Sequence, residues 1–196
     1  NTLGRLGMYN EAIECYNKAL ELDPNYPSVL SNKGNMLNEL GRHNEALECY
    51  DRAIELDPKF ALAWSNKGIA LGKLGNYIES LKCFDKVVEL DPESVHVYSA
   101  RAFTYIQMKE YEKAIQEWTK QIELIPDYPL GYYNRGCIYM EIGQYEKAVS
   151  NYNKVIGIEP NFPEPFIKKG EALEKLGRYA EAKECFDVAK SLGYKE

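Results

Sequence analysis

Residues 61–94 read ALAWSNKGIALGKLGNYIESLKCFDKVVELDPES, and two turn signals divide this stretch into two helices. Gly75-Asn76 closes a first helix over Ala61–Leu74, because glycine tolerates the left-handed backbone just past a helix end. Asp91-Pro92 closes a second over Ile78–Leu90, because the residue before proline avoids the helical region. Leu81, Phe84 and Val88 recur at three- and four-residue spacing, which paints one apolar stripe on the second helix. The stretch therefore predicts a helical hairpin with one face to bury.

The same hairpin is written along the whole chain. Pro24, Pro58, Pro92, Pro126 and Pro160 stand 34 residues apart. Gly7, Gly41, Gly75, Gly143 and Gly177 keep that step, with Lys109 standing where one more glycine is due. Tyr16, Tyr50, Phe84, Trp118, Tyr152 and Phe186 keep it too. The pattern predicts a partial repeat over 1–26, with Asn1–Leu6 as a shortened first helix, and full repeats over 27–60, 61–94, 95–128, 129–162 and 163–196. Pro27, Pro129 and Pro163 open first helices, where a missing N–H costs nothing. A lone hairpin cannot bury its apolar face, so stability has to come from stacking neighbours.

These markers resemble the tetratricopeptide repeat. The family's small residue deep in the first helix is matched by Gly34, Gly68, Ala102, Gly136 and Gly170. Its small residue early in the second helix is matched by Ala12, Ala46, Ser80, Ala114, Ala148 and Ala182, and the aromatic series follows four residues later. The resemblance covers the whole chain. It implies an all-α fold, a right-handed α-α superhelix or solenoid of 34-residue helix-turn-helix repeats, with a concave face lined mainly by the first helices.

Composition narrows the function classes. The net charge is −6 without a basic stripe, which argues against nucleic acid as a partner. No run approaches the roughly 18 apolar residues of a membrane span. Five cysteines without a C-x-x-C pair suggest free thiols in a reducing, cytoplasmic compartment. The chain begins with Asn1 and reads as a fragment, so a leader would not be visible. Gly68, Gly72, Lys73 and Gly75 fail the spacing of a phosphate loop and lie in a helix. Cys15, Cys49, Cys83 and Cys185 repeat one packing place, and Cys137 is the thiol to test for reactivity. His43 stands where other repeats hold Tyr9, Tyr77, Tyr111, Tyr145 and Tyr179. No catalytic, metal or cofactor constellation emerges, so a non-enzyme without cofactor is expected.

Departures from the family pattern carry their own expectations. Its leucine before the small residue is replaced by Lys33, Lys67, Arg101, Arg135 and Lys169. Either these stems snorkel over apolar neighbours and pair with acids of adjacent helices, or they form a cationic row for an acidic partner. Lys109 at a helix end predicts a turn of another shape, since a left-handed lysine costs about 1 kcal/mol relative to glycine. The last repeat closes on Gly193-Tyr194 without a polar capping helix, which suggests a piece of a longer array or capping by self-association.

Carrying over the family's concave places gives a candidate groove. In the first full repeat these are Ser28, Ser31, Asn32, Asn35, Asn38 and Glu39, and in the next Leu62, Ser65, Asn66, Ile69 and Lys73. Phe103 and Ile106 follow, then Leu130, Tyr133, Asn134, Cys137 and Met140, then Glu164, Ile167, Lys168 and Glu171. Asn32, Asn66 and Asn134 share one place, where the resemblance implies a ladder gripping an extended peptide backbone; the alternative is that they satisfy local polar groups. The family's carboxylate clamp is absent, because its lysine places hold Ser31, Ser65, Ser99, Tyr133 and Ile167. The expected function is a scaffold that binds a protein or peptide segment through apolar anchors. Self-assembly through terminal repeats, or service as the targeting array of a larger enzyme, are the alternatives.

Overall fold

A computed structural model describes residues 2–194, with side chains from Gly7 onward. The described residues form helices and no strand: α1 Thr2–Leu22, α2 Pro27–Glu39, α3 His43–Leu56, α4 Ala61–Lys73, α5 Tyr77–Leu90, α6 Val95–Gln107, α7 Tyr111–Leu124, α8 Pro129–Glu141, α9 Tyr145–Ile158, α10 Glu164–Lys175 and α11 Tyr179–Ser191. The all-α expectation holds. The chain divides into two compact parts, one up to Thr104 and the other from Tyr105 onward. In the first part α2 packs on α3 and α4 on α5, and α2 also touches α4. In the second, α8 packs on α9 and α10 on α11, and α8 touches α10. Successive first helices are thus neighbours within each part.

The turns explain why hairpins form. The amide of Arg42 reaches back to the carbonyl of Leu37 at 2.9 Å, and Asn76 does the same to Leu71 at 2.9 Å. Each such bond spans a residue with positive φ, Gly41 at 76° and Gly75 at 81°. Lys109 takes the same conformation at φ 59°, and Glu110 bonds back to Tyr105 at 2.9 Å. The expected change of turn shape is therefore corrected. A left-handed L-residue costs roughly 1–2 kcal/mol, and Lys109 also donates to Ile106 at 2.9 Å, so the turn's own bonds offset the strain. Second helices end differently. The carboxylates of Asp23, Asp57 and Asp91 accept the amide two residues on, at 3.0, 3.0 and 3.2 Å.

Gly7 makes no turn: α1 runs through it unbroken. The separate first helix expected over Asn1–Leu6 is therefore corrected: from Thr2 the backbone runs in one helix with the following residues, residue 1 lying outside the described ones.

The small-residue and aromatic series form the core. A Cβ on Gly34 would lie 2.6 Å from the Tyr50 ring, one on Gly68 2.6 Å from Phe84, and one on Gly136 2.8 Å from Tyr152. Such approaches are closer than real Cβ contacts, so at these three places a side chain would force the ring to shift; in the repeat of Trp118 the matching place is held by a buried Ala102. Tyr50, Trp118 and Tyr152 are fully buried, as are Ala46, Ala114 and Ala148. Ser80 fills the equivalent place and donates to the Gly68 carbonyl at 2.7 Å, which satisfies its buried hydroxyl.

Candidate functional site

In the first part, α2 and α4 set a small polar cleft side by side. It measures about 300 Å³ and is lined by Asn35, Asn38, Glu39, Asn66, Ile69 and Lys73. The cleft's polar groups largely answer one another. Asn35 Oδ1 accepts from the Tyr50 hydroxyl at 2.8 Å. Asn66 Nδ2 donates to Ser31 Oγ at 3.3 Å, and Lys73 pairs with Glu39 at 3.4 Å. Asn38 Oδ1 lies 2.6 Å from His43 Nδ1, which gives His43 a local packing role at the turn.

The first part also exposes apolar side chains, of which Ile69 lines this cleft. Leu62 is 52% exposed, Ile69 40% and Phe103 48%. Asn32 is exposed as well. Ser31 and Asn38, read as open groove positions, are buried instead. The rotation of α2 turns them toward α4 and the α2–α3 turn, where Asn66 and His43 engage them.

The second part carries an aromatic pocket at other places of the repeat. Leu130 and Tyr133 of α8 join Tyr128, Val155, Glu159 and Phe162 around a pocket of about 350 Å³. The Tyr133 ring lies 6.0 Å from that of Tyr152, and burial pushes its phenol up. Cys137 is half-buried, its sulfur accepting from the Tyr152 hydroxyl at 3.6 Å. Burial raises its thiol, the opposite of what a reactive cysteine needs. Met140 packs against the core of this part, and Ile106 is half-buried. Asn134 Nδ2 is buried and has no hydrogen-bond partner among the described residues. The three asparagines of one repeat place thus meet three different surroundings: solvent at Asn32, Ser31 at Asn66, and a half-buried position at Asn134.

The basic series lies among the second helices. Lys67 pairs with Asp51, and Arg101 with Asp85 at 3.3 Å. Arg135 donates to Thr119 and Asn151, both at 2.9 Å. For Lys67 and Arg101 the pairing with acids of adjacent helices is what the geometry supports, whereas Arg135 meets neutral side chains instead. A cleft of about 490 Å³ lies among the same helices, with Leu47, Trp64, Leu71 and Cys83 in its walls. Sequence reading missed it; the signal was a lone Trp64 at a place held elsewhere by Leu30, Tyr98 and Tyr132. Among the described residues no three His, Cys, Asp or Glu side chains gather to hold a metal, and no helix is long and apolar enough to cross a membrane.

Family models decide the relationship. A model described as TPR repeat matches residues 1–37, 34–75 and 104–143, and one described as Tetratricopeptide repeat matches 61–94 and 129–162. The chain belongs to the tetratricopeptide repeat family. Two further tetratricopeptide models match 83–116 and 163–192. No curated protein matches the chain. Among solved structures, this tetratricopeptide chain is similar to the MamA protein at 25% identity and TM-score 0.76, over 85% of this chain and 91% of that one. It is also similar to MamA from Desulfovibrio magneticus RS-1, at 22% identity and TM-score 0.75, over 85% of this chain and 94% of that one. YrrB, described as a TPR protein with an unusual peptide-binding site, matches at 21% identity and TM-score 0.72, over 92% of this chain and 93% of YrrB. The last two likenesses speak for the fold alone.

Proposed function

We propose that this tetratricopeptide chain is a non-enzymatic scaffold that holds a segment of a partner protein on its first-helix faces. The repeats are taken as 27–60, 61–94, 95–128, 129–162 and 163–196, after a partial one over 1–26. The observation that carries the proposal is the exposure of apolar side chains on first helices, Leu62, Ile69 and Phe103, with Ile69 in the wall of an amide-lined cleft. Full burial of such a side chain is worth roughly 1.5–3 kcal/mol, so half-exposed ones still have about half of that to gain. A net hydrogen bond adds only about 0.5–1.5 kcal/mol. Apolar anchors therefore supply the affinity and the amides set the register. The fold supports a peptide-binding site in YrrB, which is compatible with the same use here.

The experiment is capture of peptides from a display library, followed by Phe103→Ala and Asn66→Ala. Both changes weaken capture while the far-ultraviolet circular dichroism stays unchanged. Undiminished capture by both variants sinks the reading. The second reading is self-association, favoured by outward apolar groups on α11, where Tyr179 is 69% and Val188 40% exposed. A monomer in sedimentation equilibrium at high concentration removes it.

A further inference from the structure

We propose that the aromatic pocket of the second part receives the guanidinium of an arginine presented by the partner segment. This rests on the groove reading and names the partner's chemistry at one place in it. The pocket is walled by Tyr128, Leu130, Tyr133, Val155, Glu159 and Phe162. Three of these are aromatic, and Tyr128 and Phe162 are each 39% exposed. The charged side chain among these walls is a carboxylate, Glu159. Glu159 is also the residue that caps the C-terminal end of α9, and Val155 lies in that last turn. Backbone carbonyls there carry the negative end of the helix dipole. Ring faces, a carboxylate and a helix C-terminus all favour the same sign of guest.

The cation that could compete is already engaged. Lys168 of α10 is sensed by Tyr133, but its Nζ is held by both carboxylate oxygens of Glu171, at 2.8 and 3.1 Å. Arginine fits better than lysine, because its planar, weakly hydrated guanidinium stacks on rings and meets a carboxylate with two donors. An anionic guest is repelled, and an aliphatic one leaves Glu159 unmatched. Tyr133 is what sets this hairpin apart, since its place holds Ser31, Ser65 and Ser99 in the earlier repeats, while Tyr128, Glu159 and Phe162 match Tyr26, Asp57 and Phe60.

The test titrates the ¹⁵N-labelled chain with N-acetyl-arginine methylamide, alongside the citrulline and norleucine counterparts. The arginine probe shifts the amides of Tyr128, Tyr133 and Phe162, and binds about fivefold or more tighter than citrulline, its neutral look-alike. Glu159→Gln weakens the arginine probe about threefold, and Phe162→Ala removes the shifts. Equal binding of citrulline or norleucine, no shift at these amides, or indifference to Glu159→Gln overturns the proposal. Loss of arginine preference with capture still sensitive to Asn66→Ala and Phe103→Ala sinks the pocket alone. Arginine binding here with capture insensitive to those two changes sinks the groove reading alone.

Discussion

Tyr50 and Tyr152 hold matching places in two hairpins, α2–α3 and α8–α9, and both rings are completely buried beneath a glycine. Their hydroxyls meet different partners. Tyr50 donates to an amide oxygen at 2.8 Å, Asn35 Oδ1, whereas Tyr152 donates to a sulfur at 3.6 Å, Cys137 Sγ. Asn35 and Cys137 are themselves matching places on the first helices. The comparison teaches that the ring and the glycine carry the packing, while the acceptor above them is free to change with the chemistry of the open face. One hairpin carries an amide above its ring and the other a thiol, with the ring and glycine beneath unchanged.

The largest test removes the rings. Tyr50→Ala and Tyr152→Ala should each lower stability by about 3–5 kcal/mol in urea titrations followed by circular dichroism. A difference above about 2 kcal/mol between them would break the equivalence of the two hairpins. Next come the glycines. Gly34→Val and Gly136→Val force side-chain atoms into rings that a Cβ would already meet at 2.6 and 2.8 Å. Each should cost about 1–3 kcal/mol, with Gly34 at least as sensitive.

Most of this scaffolding was legible from the residues. The expected bounds Ala61–Leu74 and Ile78–Leu90 differ from α4 and α5 by one residue at one end of each helix. Turn chemistry and a gapless period explain that success, since both are local. The candidate face was less legible. Ser31 and Asn38 were expected in the open and are buried, because helix rotation within a stack decides which polar residue meets a neighbour. Asn66 has its amide engaged by Ser31, a contact between residues 35 apart in the chain that no periodicity announces. Lys109 failed as a predictor of a different turn because the hydrogen bonds around it suit the shared geometry regardless of the side chain. The aromatic pocket needed three elements to be brought together, and only Leu130 and Tyr133 were foreseen in it.

Two smaller effects sharpen the comparison. Tyr50→Phe strands a well-placed amide oxygen and should cost about 1 kcal/mol more than Tyr152→Phe, measured by the same titrations. The smallest effect concerns the thiols. Burial raises Cys49, Cys83, Cys137 and Cys185 above the ordinary thiol value, whereas Cys15 is exposed. Cys15 should therefore react first with a disulfide reagent near neutral pH, and Cys137 should lag it by roughly tenfold. A folded-state value that lies higher than the unfolded one favours the folded chain fully below about pH 8.5, and that advantage fades as pH climbs through the raised values. Urea midpoints taken from pH 7 to pH 10 should fall accordingly; a flat profile would remove thiol burial as the cause.

Asn35 sits where surface and interior share one atom. Its amide lines the cleft, and its oxygen anchors the hydroxyl of a ring at the heart of the hairpin. A guest that takes this oxygen loosens Tyr50, while one that takes only the amide nitrogen leaves the ring moored. Tyrosine ultraviolet absorbance would consequently register which edge of Asn35 a bound segment grips, so the hairpin comes with its own built-in gauge of docking mode.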